Sequence, residues 1–250
     1  MTKIDFIKMH GCGNDFVIID QRYFSFHLNQ REIIRISDRN IGIGCDQLIV
    51  LTKSDKADCK MEIYNQDGSK ALMCGNAARC VGKLLGILHS MIEVNSNVLQ
   101  VALKQEEVEV KVPVNFSLIR EYESLGTYVN VGNNHLVLFF DDIDNIDVDK
   151  IAASCRDNTD LPTNLNVSFA SVLSNNKIKL RTVESGVGET LACGSGASAT
   201  LIAANYMGLV GISADVMMKG GQLNIKKLED NVVMTGNATY VFKGTININE

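Results

Sequence analysis

The stretch that decides the fold is L72-M-C-G-N-A-A-R-C80, and L191-A-C-G-S-G-A-S198 repeats its pattern in the second half of the chain. In each stretch a cysteine is followed by glycine, a small polar residue and small apolar residues, and then by a long apolar run. This order predicts a helix that begins directly after the cysteine. The N–H groups of a first helical turn have no partner within the helix, and the helix dipole is positive there. Each cysteine is therefore expected where a thiolate or a bound carboxylate is stabilised.

Two cysteines in such positions suit proton transfer at a carbon atom. A free cysteine has a pKa of about 8.5, and placement at a helix N-terminus lowers it to about 3.5–7.5. A thiolate could remove a proton from one face of a carbon while a thiol returns one to the other face. The two titrations would be coupled, so neither pKa would belong to one residue alone. Cys74 and Cys193 are thus predicted to be catalytic, and a buried structural thiol is the competing interpretation.

The two halves of the chain repeat at one fixed distance. Cys193 lies 119 residues after Cys74. The same shift aligns polar loop residues and two regular elements: Gly13-Asn14 with Gly132-Asn133, Gln47 with Asn166, Asn65 with Glu184, residues 30–37 with 149–156, and residues 59–64 with 178–183. Because loops and regular elements agree at one shift, we interpret the pattern as an internal duplication rather than a chance match.

The duplication predicts two domains that share one cleft, to which each contributes a cysteine and a set of amide side chains. The predicted domains are residues 1–116, completed by the C-terminal strand 239–250, and residues 117–238. Within the first, residues 4–9 and 16–20 are expected as strands around the glycine turn H10-G-C-G-N-D15. Residues 196–212 are uncharged and rich in small residues, which predicts a helix buried on all sides.

The charge and cysteine content of the chain argue against several classes of function. The chain has 250 residues, 24 of them Lys or Arg and 29 Asp or Glu, and the net charge of −5 argues against nucleic acid and anionic membranes as partners. An odd number of cysteines, seven, and no apparent signal peptide predict a reduced, cytoplasmic protein. No C-x-x-C or H-E-x-x-H motif occurs, which argues against a metal site. Cys80 is expected in the core, and Arg79 is expected on a solvated face.

Five motifs together resemble one family: M9-H-G-C-G-N-D-F16, N65-Q-D-G-S69, C74-G-N76, A192-C-G-S-G196 and V241-F-K-G244 are similar to those of diaminopimelate epimerase. The resemblance implies an α/β (α+β) fold of two pseudo-symmetric domains, each a curved, mostly antiparallel sheet wrapped around a central helix. It implies an isomerase that converts LL-diaminopimelate to the meso form, a precursor of lysine and peptidoglycan, without cofactor or metal. A homodimer is a further expectation from the family.

The resemblance also implies roles for individual residues. Cys74 and Cys193 match the acid and base pair of the family. The residues expected to offer backbone N–H groups to the α-carboxylate are Gly75, Asn76, Gly194 and Ser195. The residues expected to grip the rest of the amino-acid substrate are Asn14, Gln47, Asn65, Asn133, Asn166, Glu184 and Ser185. The asparagines could instead be plain turn formers. His135 could serve the site or be a hydrogen-bonded structural histidine.

One departure from the family bears on the substrate. At E184-S-G-V-G-E-T190 the family has arginine after the glutamate, and this chain has Ser185. The family arginine binds the distal carboxylate of the substrate, and a hydroxyl does not replace a bidentate guanidinium. A racemase of another amino acid is therefore an alternative function. A cysteine hydrolase using His10 or His135 as its base, and a binding protein without catalysis, are alternatives of other classes.

Overall fold

The computed structural model of the protein describes residues 2–24, 26–114, 119–122 and 125–248. The chain divides into two compact units. Unit 1 contains Met1–Val110 and Asn237–Glu250, and unit 2 contains Lys111–Gly236. The predicted boundary between residues 116 and 117 lies outside the described residues.

Seventeen strands and four helices are found in the described part of the chain. The first group is β1 (Thr2–Gly11), β2 (Asn14–Asp20), α1 (Gln30–Ser37), β3 (Gln47–Thr52), β4 (Cys59–Asn65), α2 (Gly75–Leu85), β5 (His89–Val94), β6 (Asn97–Lys104) and β7 (Glu107–Pro113). The second is β8 (Ile119–Tyr122), β9 (Gly126–Asn130), β10 (Asn134–Phe139), α3 (Val148–Arg156), β11 (Asn166–Ser174), β12 (Lys177–Glu184), β13 (Gly188–Thr190), α4 (Gly194–Tyr206), β14 (Ser213–Met218), β15 (Gly221–Lys227) and β16 (Asn231–Asn237). The last strand is β17 (Thr239–Ile248).

Unit 1 is a mixed sheet in which antiparallel pairs predominate. β1 pairs antiparallel with both β2 and β17, and β3–β4 and β5–β6 are also antiparallel. The parallel pairs are β2–β3 and β4–β5. A parallel pair needs a crossover connection, and α1 and α2 provide these two crossovers.

Helix α2 is the central helix of unit 1. All eight residues from Gly75 through Gly82 are buried, and the helix ends at Gly86, which has a φ of +67°. That left-handed conformation suits glycine, so the sequence sets the end of the helix. On the inner face a Cβ atom on Gly82 would lie 2.3 Å from Cγ1 of Val101, so glycine lets α2 pack closely on β6.

Unit 2 repeats the same plan. β8–β9, β9–β10, β11–β12, β12–β13, β14–β15 and β15–β16 are antiparallel, while β10–β11 and β12–β14 are parallel. Helix α3 connects the first parallel pair, and α4 lies in the connection of the second. Helix α4 is buried at Gly194 and throughout residues 196–204, as a central helix must be.

The order of parallel and antiparallel pairs is thus the same in the two units, and the starts of the helices coincide at the predicted shift of 119 to within one residue. α1 begins at Gln30 and α3 at Val148, and the helices that carry the two cysteines begin at Gly75 and Gly194. The correspondence ends within α4. That helix has 13 residues against 11 in α2, and it stops at Tyr206, not near residue 212 as the sequence predicts. Gly208, with a φ of +72°, follows in a left-handed conformation that a helix cannot continue through.

Each unit has its own apolar core. In unit 1 one cluster of buried residues joins α1 to the sheet, and it comprises Ile4, Phe6, Val17, Ile19, Ile33, Ile36, Cys45, Leu48 and Ile248. In unit 2 the corresponding cluster comprises Leu136, Ile143, Val148, Ala152, Cys155, Leu161, Leu165, Val167, Phe169 and Val183. Within the described ranges, the chain forms no helix with the length and apolar character needed to cross a membrane.

Candidate active site

The polar residues predicted for the first half lie at one edge of the unit 1 sheet. Asn14 is the first residue of β2, Gln47 the first of β3, and Asn65 the last of β4. Because β2 and β3 run parallel and β4 runs antiparallel to β3, these three positions share one end of the sheet. Gln47 faces Asn65 in the register and donates from Nε2 to Oδ1 of Asn65 at 3.0 Å. The strand directions therefore bring the predicted amides together.

Cys74 is the N-cap residue of α2. Its φ and ψ of −148° and 107° are extended, and its Sγ accepts a hydrogen bond from the N–H of Ala77 at 3.4 Å. The thiol also lies 3.8 Å from Oδ1 of Asn14. The sulfur therefore occupies the place that a serine or aspartate oxygen usually takes at an N-cap, and a negative charge there is stabilised by the helix.

Asn14 links Cys74 to its surroundings. Its Oδ1 accepts a hydrogen bond from Nδ2 of Asn76 at 3.1 Å, and its Nδ2 donates to Oδ2 of Asp46 at 2.9 Å. Asp46 in turn pairs with Arg39 at 2.8 Å. The orientation of the Asn14 amide is thus set from both ends. Nothing in the sequence pattern singles out Asp46, which lies in a loop just before β3.

Unit 2 places its predicted residues at the equivalent sheet edge. Asn133 directly precedes β10, Asn166 is the first residue of β11, and Glu184 is the last of β12. β10 and β11 are parallel and β12 is antiparallel to β11, so these positions again share one end of the sheet. In unit 1 the chain passes from β4 to α2. In unit 2 it passes correspondingly from β12, through β13, to α4.

Cys193 is the N-cap residue of α4, with φ and ψ of −128° and 108°. Its Sγ accepts a hydrogen bond from the N–H of Gly196 at 3.3 Å and lies 3.4 Å from Oγ of Ser195. Asn133 donates from Nδ2 to the same Oγ at 3.4 Å. Cys193 is 5% exposed, and a Cβ atom on Gly196 would come within 3.3 Å of its sulfur. The close packing fixes the sulfur against the first turn.

His135 is both a core residue and a neighbour of this site. Its side chain is fully buried, its Nε2 lies 3.0 Å from Oγ of Ser195, and its Nδ1 lies 3.4 Å from Oγ of Ser168. Burial lowers the pKa of His135 to about 3, so the imidazole is neutral near pH 7. A neutral imidazole bridges two hydroxyls, and through Ser195 it reaches Cys193. The interpretation of His135 as a hydrogen-bonded structural histidine is therefore confirmed, and a role in the site stays a prediction.

The segment that departs from the family lies at the end of β12. The N–H of Ser185 donates to Oδ1 of Asn166 at 2.9 Å, and Oε1 of Glu184 accepts from Oγ1 of Thr190 at 2.7 Å. The nearby Arg181 is held in a bidentate ion pair with Glu189, at 2.6 and 3.0 Å. This pairing lowers the pKa of Glu189 to about 2.

Arg156, the other arginine near the end of β12, donates from Nε to the carbonyl of Leu165 at 3.0 Å and from Nη2 to the carbonyl of Val183 at 2.9 Å. It thereby holds the two backbone positions that precede Asn166 and Glu184. Arg181 and Arg156 thus both serve structure in unit 2, and Arg181 uses all three of its nitrogens in doing so.

The interpretation of Arg79 as a solvated side chain is wrong. Arg79 is 0% exposed and donates from Nη2 to Oδ1 of Asn76 at 2.8 Å and from Nε to the carbonyl of Asn237 at 3.4 Å. The physical reason is that α2 is buried on every side along its first two turns, so no position there can face water. A sequence pattern that places charge outside cannot find such a residue.

The five remaining cysteines are buried and form no disulfide bond among the described residues, and they lie in strands, loops or helix interiors. Burial raises the pKa of Cys59 to about 11 and that of Cys80 to about 12. A thiol of that kind is unreactive near neutral pH. The core position expected for Cys80 is thus confirmed. Among the residues that the structure describes, no cluster of three or more His, Cys, Asp or Glu side chains could hold a metal ion.

Known structures share this architecture. A phenazine biosynthesis protein of the PhzF family from Bacillus anthracis is similar with a TM-score of 0.74 over 99% of this chain and 100% of its own, at 15% identity. A hydroxyproline epimerase from Agrobacterium vitis, with bound trans-4-hydroxy-L-proline, gives a TM-score of 0.72 over 99% of this chain and 93% of its own, at 14% identity. At such identities the likeness concerns the fold alone, and it confirms the predicted fold class.

Curated relatives are similar in sequence over almost the whole chain. Diaminopimelate epimerase of Bacteroides thetaiotaomicron is 38% identical over 261 aligned residues, which cover 97% of this chain and 98% of the relative. Diaminopimelate epimerase of Sphingopyxis alaskensis is 39% identical over 257 residues, which cover 96% of each chain. The sequence model of the family described as diaminopimelate epimerase matches residues 6–122 and 127–241. With both cysteine motifs inside these matches, the chain belongs to the diaminopimelate epimerase family.

Proposed function

We propose that the protein epimerises LL-diaminopimelate to meso-diaminopimelate, with Cys74 and Cys193 as the two groups that exchange protons with the α-carbon. The observation that carries this proposal is the equivalent placement of the two cysteines. Each is the N-cap of the central helix of its unit, and each sulfur accepts a hydrogen bond from an N–H of the first helical turn. Diaminopimelate is proposed as the substrate because the chain belongs to the diaminopimelate epimerase family.

The chemistry requires that a carbanion be stabilised at the α-carbon. The first-turn N–H groups at Gly75 and Asn76 in one unit, and at Gly194 and Ser195 in the other, have no acceptor within their helices. They would bind the α-carboxylate, and the positive ends of the helix dipoles would stabilise the charge that develops there. A thiolate then takes the α-proton, and the thiol of the other cysteine delivers a proton to the opposite face. The charge on sulfur has then moved from one cysteine to the other, so atoms and charge balance.

The side-chain amides at the strand ends would grip the rest of the substrate. Asn14 also contacts the thiol of Cys74, and Asn133 contacts Ser195, which adjoins Cys193. Gln47 with Asn65, and Asn166 with Glu184, are the other two groups at these edges. Hydrogen bonding of these partly buried side chains to one another before substrate arrives would keep their orientation fixed.

The reaction proposed here uses two thiols and needs neither pyridoxal phosphate nor a metal ion. Supporting this, the resemblance is to a cofactor-independent epimerase. We place the enzyme in the cytoplasm, because none of its seven cysteines, all of which lie in the described residues, forms a disulfide bond, and two of them must remain thiols for catalysis. The net charge of −5 supports a small-molecule substrate rather than a nucleic acid or an anionic membrane. A homodimer remains a prediction from the family.

The test is exchange of the α-proton of LL-diaminopimelate with deuterated water under reducing conditions. The unmodified protein is expected to exchange the proton and form the meso isomer. Cys74→Ala and Cys193→Ala should each abolish net epimerisation, while Cys80→Ala, a matched cysteine replacement in the core of α2, should retain it. Exchange that survives in both single variants would contradict the two-thiol mechanism, and a hydrolase would lose activity with only one of them.

Ser185 favours a second candidate, a racemase of another amino acid on the same scaffold. All three side-chain nitrogens of Arg181 donate to Glu189 or to backbone carbonyls, and two nitrogens of Arg156 donate to backbone carbonyls. Neither arginine therefore replaces, in this arrangement, the family arginine that binds the distal carboxylate. Exchange should be measured with diaminopimelate and with a panel of L-amino acids, in the unmodified protein and in Ser185→Arg. Exchange of diaminopimelate only in Ser185→Arg would favour the racemase.

A further inference from the structure

Asp46 is a carboxylate beside the candidate site that the proposed mechanism does not use. It lies in the loop before β3, and its side chain is 41% exposed. Its Oδ2 accepts from Nδ2 of Asn14 at 2.9 Å and from the N–H of Asp15 at 3.1 Å. Its Oδ1 accepts from Nη2 of Arg39 at 2.8 Å. A carboxylate paired in this way offers acceptors only, so whatever group of Asn14 faces it must be a donor.

Three charged side chains hold this carboxylate in place. Asp15 forms a bidentate pair with Arg39, at 2.7 and 3.0 Å, and pairs with Nζ of Lys8 at 2.6 Å. The N–H of Asp46 donates back to Oδ1 of Asp15 at 2.9 Å. Burial opposes the ionisation of Asp15, but its hydrogen bonds with Arg39 and Lys8 outweigh burial and lower its pKa to about 2. The loop is therefore fixed to the start of β2, where Asn14 lies.

One chain of hydrogen bonds sets the orientation of the amides of Asn14 and Asn76. At one end Asp46 accepts from Nδ2 of Asn14. At the other end the guanidinium of Arg79, which can only donate, donates from Nη2 to Oδ1 of Asn76 at 2.8 Å. Between them Nδ2 of Asn76 donates to Oδ1 of Asn14 at 3.1 Å. Because an acceptor ends the chain on one side and a donor on the other, each amide satisfies the chain in only one of its two orientations.

This orientation turns the oxygen of Asn14, and not its NH2 group, towards Cys74. The thiol of Cys74 donates to that oxygen, with 3.8 Å between Sγ and Oδ1. A hydrogen bond made by the neutral form of an acid disfavours its ionisation. The reversed amide would present N–H groups to the sulfur and favour the thiolate instead. The orientation of Asn14 therefore affects whether Cys74 keeps its proton.

The bond to Asp46 completes the fixation of the Asn14 amide. An amide held only through its oxygen can still turn about that one hydrogen bond, whereas partners on both its oxygen and its nitrogen fix its plane. Asn76 holds Oδ1 of Asn14, and Asp46 holds Nδ2. The position 119 residues after Asp46 is Leu165, whose side chain cannot accept a hydrogen bond. A carboxylate at this position is thus a feature of unit 1.

We propose that Asp46 is a positioning residue, which holds the amide oxygen of Asn14 towards Cys74 and thereby stabilises the thiol form of that cysteine. The inference deepens the proposed function and rests on it for its catalytic meaning, since a cysteine that delivers a proton to the α-carbon must first hold one. Asp46 acts through Asn14, and its own carboxylate exchanges no proton in the reaction.

Other ionisable groups also surround the first turns of α2. They are Arg79, Cys80 and Lys83 on the helix, Cys12 between β1 and β2, and Glu107 at the start of β7. Arg79 and Cys80 interact with Cys74 electrostatically. All of these groups are the same in every variant of Asp46, so their effects cancel when two such variants are compared.

The test compares two replacements of nearly the same shape. Asp46→Asn keeps an acceptor oxygen for Asn14, Asp46→Leu keeps none, and both remove the same charge. The measurement is the rate of alkylation of Cys74 by iodoacetamide as a function of pH, followed by peptide mass spectrometry without substrate. The midpoint in Asp46→Leu is expected about 0.5 pH unit below that in Asp46→Asn, so that alkylation below the midpoint is about threefold faster. A change in the exposure of the sulfur would alter the rate at every pH without moving the midpoint.

Two controls separate this role from a general loosening of the loop. In Asn14→Ala the same two replacements of Asp46 should give equal midpoints, because the acceptor then has no amide to hold. Asp38 lies in the same loop and accepts from two backbone N–H groups at 2.7 and 2.9 Å. Asp38→Ala removes these bonds and should leave the midpoint of Cys74 in place.

Equal midpoints in Asp46→Asn and Asp46→Leu would overturn the proposal and leave Asp46 with a role in loop structure. A difference that persists in Asn14→Ala would overturn it as well, and so would a downward shift in Asp38→Ala as large as that in Asp46→Leu. If Asp46→Leu does not fold, Asp46→Ala takes its place with the same expectation. Because no substrate is present, a failure of α-proton exchange together with the expected midpoints would refute the proposed function alone.

Discussion

Replacing His135 by glutamine is expected to make the protein less sensitive to acid. The His135 side chain is fully buried in unit 2, and burial lowers its pKa from the ordinary 6.5 to about 3. In the unfolded chain the imidazole takes up a proton below about pH 6.5. The folded protein cannot accept that proton until the pH approaches 3. His135 therefore stabilises the folded state fully above pH 6.5, and this contribution is lost as the pH falls from 6.5 towards 3.

The magnitude follows from proton linkage. Each pH unit in that window lowers the free energy of unfolding by up to about 1.36 kcal/mol, so the loss between pH 7.5 and pH 5 is about 2 kcal/mol. At pH 5 this value depends only on the folded pKa being below 5. Carboxylates that titrate over the same range contribute equally in the unmodified protein and in the variant, so the difference between the two isolates His135.

The assay is urea unfolding at pH 7.5 and pH 5 for the unmodified protein, His135→Gln and His27→Gln. His135→Gln is expected to be less stable at pH 7.5 by about 1–3 kcal/mol, because the contacts to Ser195 and Ser168 are lost. Its further loss on going to pH 5 should be about 2 kcal/mol smaller than that of the unmodified protein. His27 is exposed, and its variant should show the full pH dependence. Equal acid sensitivity in His135→Gln and the unmodified protein would refute the assignment of a buried, neutral imidazole.

Two further predictions concern glycines that the packing requires. Gly82→Ala places a Cβ atom 2.3 Å from Cγ1 of Val101. Thermal unfolding should therefore show a loss of about 1–3 kcal/mol in stability. A smaller loss would mean that β6 can move away from α2 at little cost. Gly196→Ala places a Cβ atom 2.8 Å from Oγ1 of Thr182 and 3.3 Å from Sγ of Cys193, so kcat should fall about tenfold or more while circular dichroism stays unchanged. Full activity in Gly196→Ala would show that the sulfur position is not critical.

The sequence was sufficient to predict where the central helix of each unit begins and where the strands of the site begin, because these features depend on local sequence patterns. A cysteine followed by glycine and small residues specifies a helix start, and both cysteines are N-caps. The amides at Asn14 and Gln47 could be placed together because each opens a strand, and parallel strands that begin at one edge bring their first residues to the same place. Such a prediction needs only the directions of the strands, and it does not require knowledge of side-chain contacts.

The rest depended on packing that no local pattern contains. Arg79 is buried because α2 is enclosed and because Gly11, distant in sequence, leaves space for a guanidinium. Asp46 orients Asn14 from a loop that has no motif. The end of α4 at Tyr206 is likewise decided by a glycine with positive φ two residues later, within an apolar run that reads as continuous helix. Each of these features depends on a contact between residues distant in sequence or on a backbone conformation. Neither can be predicted from the local sequence pattern.

The proposed reaction requires opposite roles at equivalent positions of a duplicated fold. The backbone supplies what the roles have in common, a sulfur at the N-terminus of a central helix with first-turn N–H groups beside it. The side chains around the two sulfurs differ between the units. Unit 1 has a fully buried guanidinium, that of Arg79, in the second turn of its central helix, and unit 2 has a buried, neutral imidazole, that of His135, 3.0 Å from Oγ of Ser195. The duplication therefore preserves the backbone at each helix start, while the buried polar side chains near it have diverged.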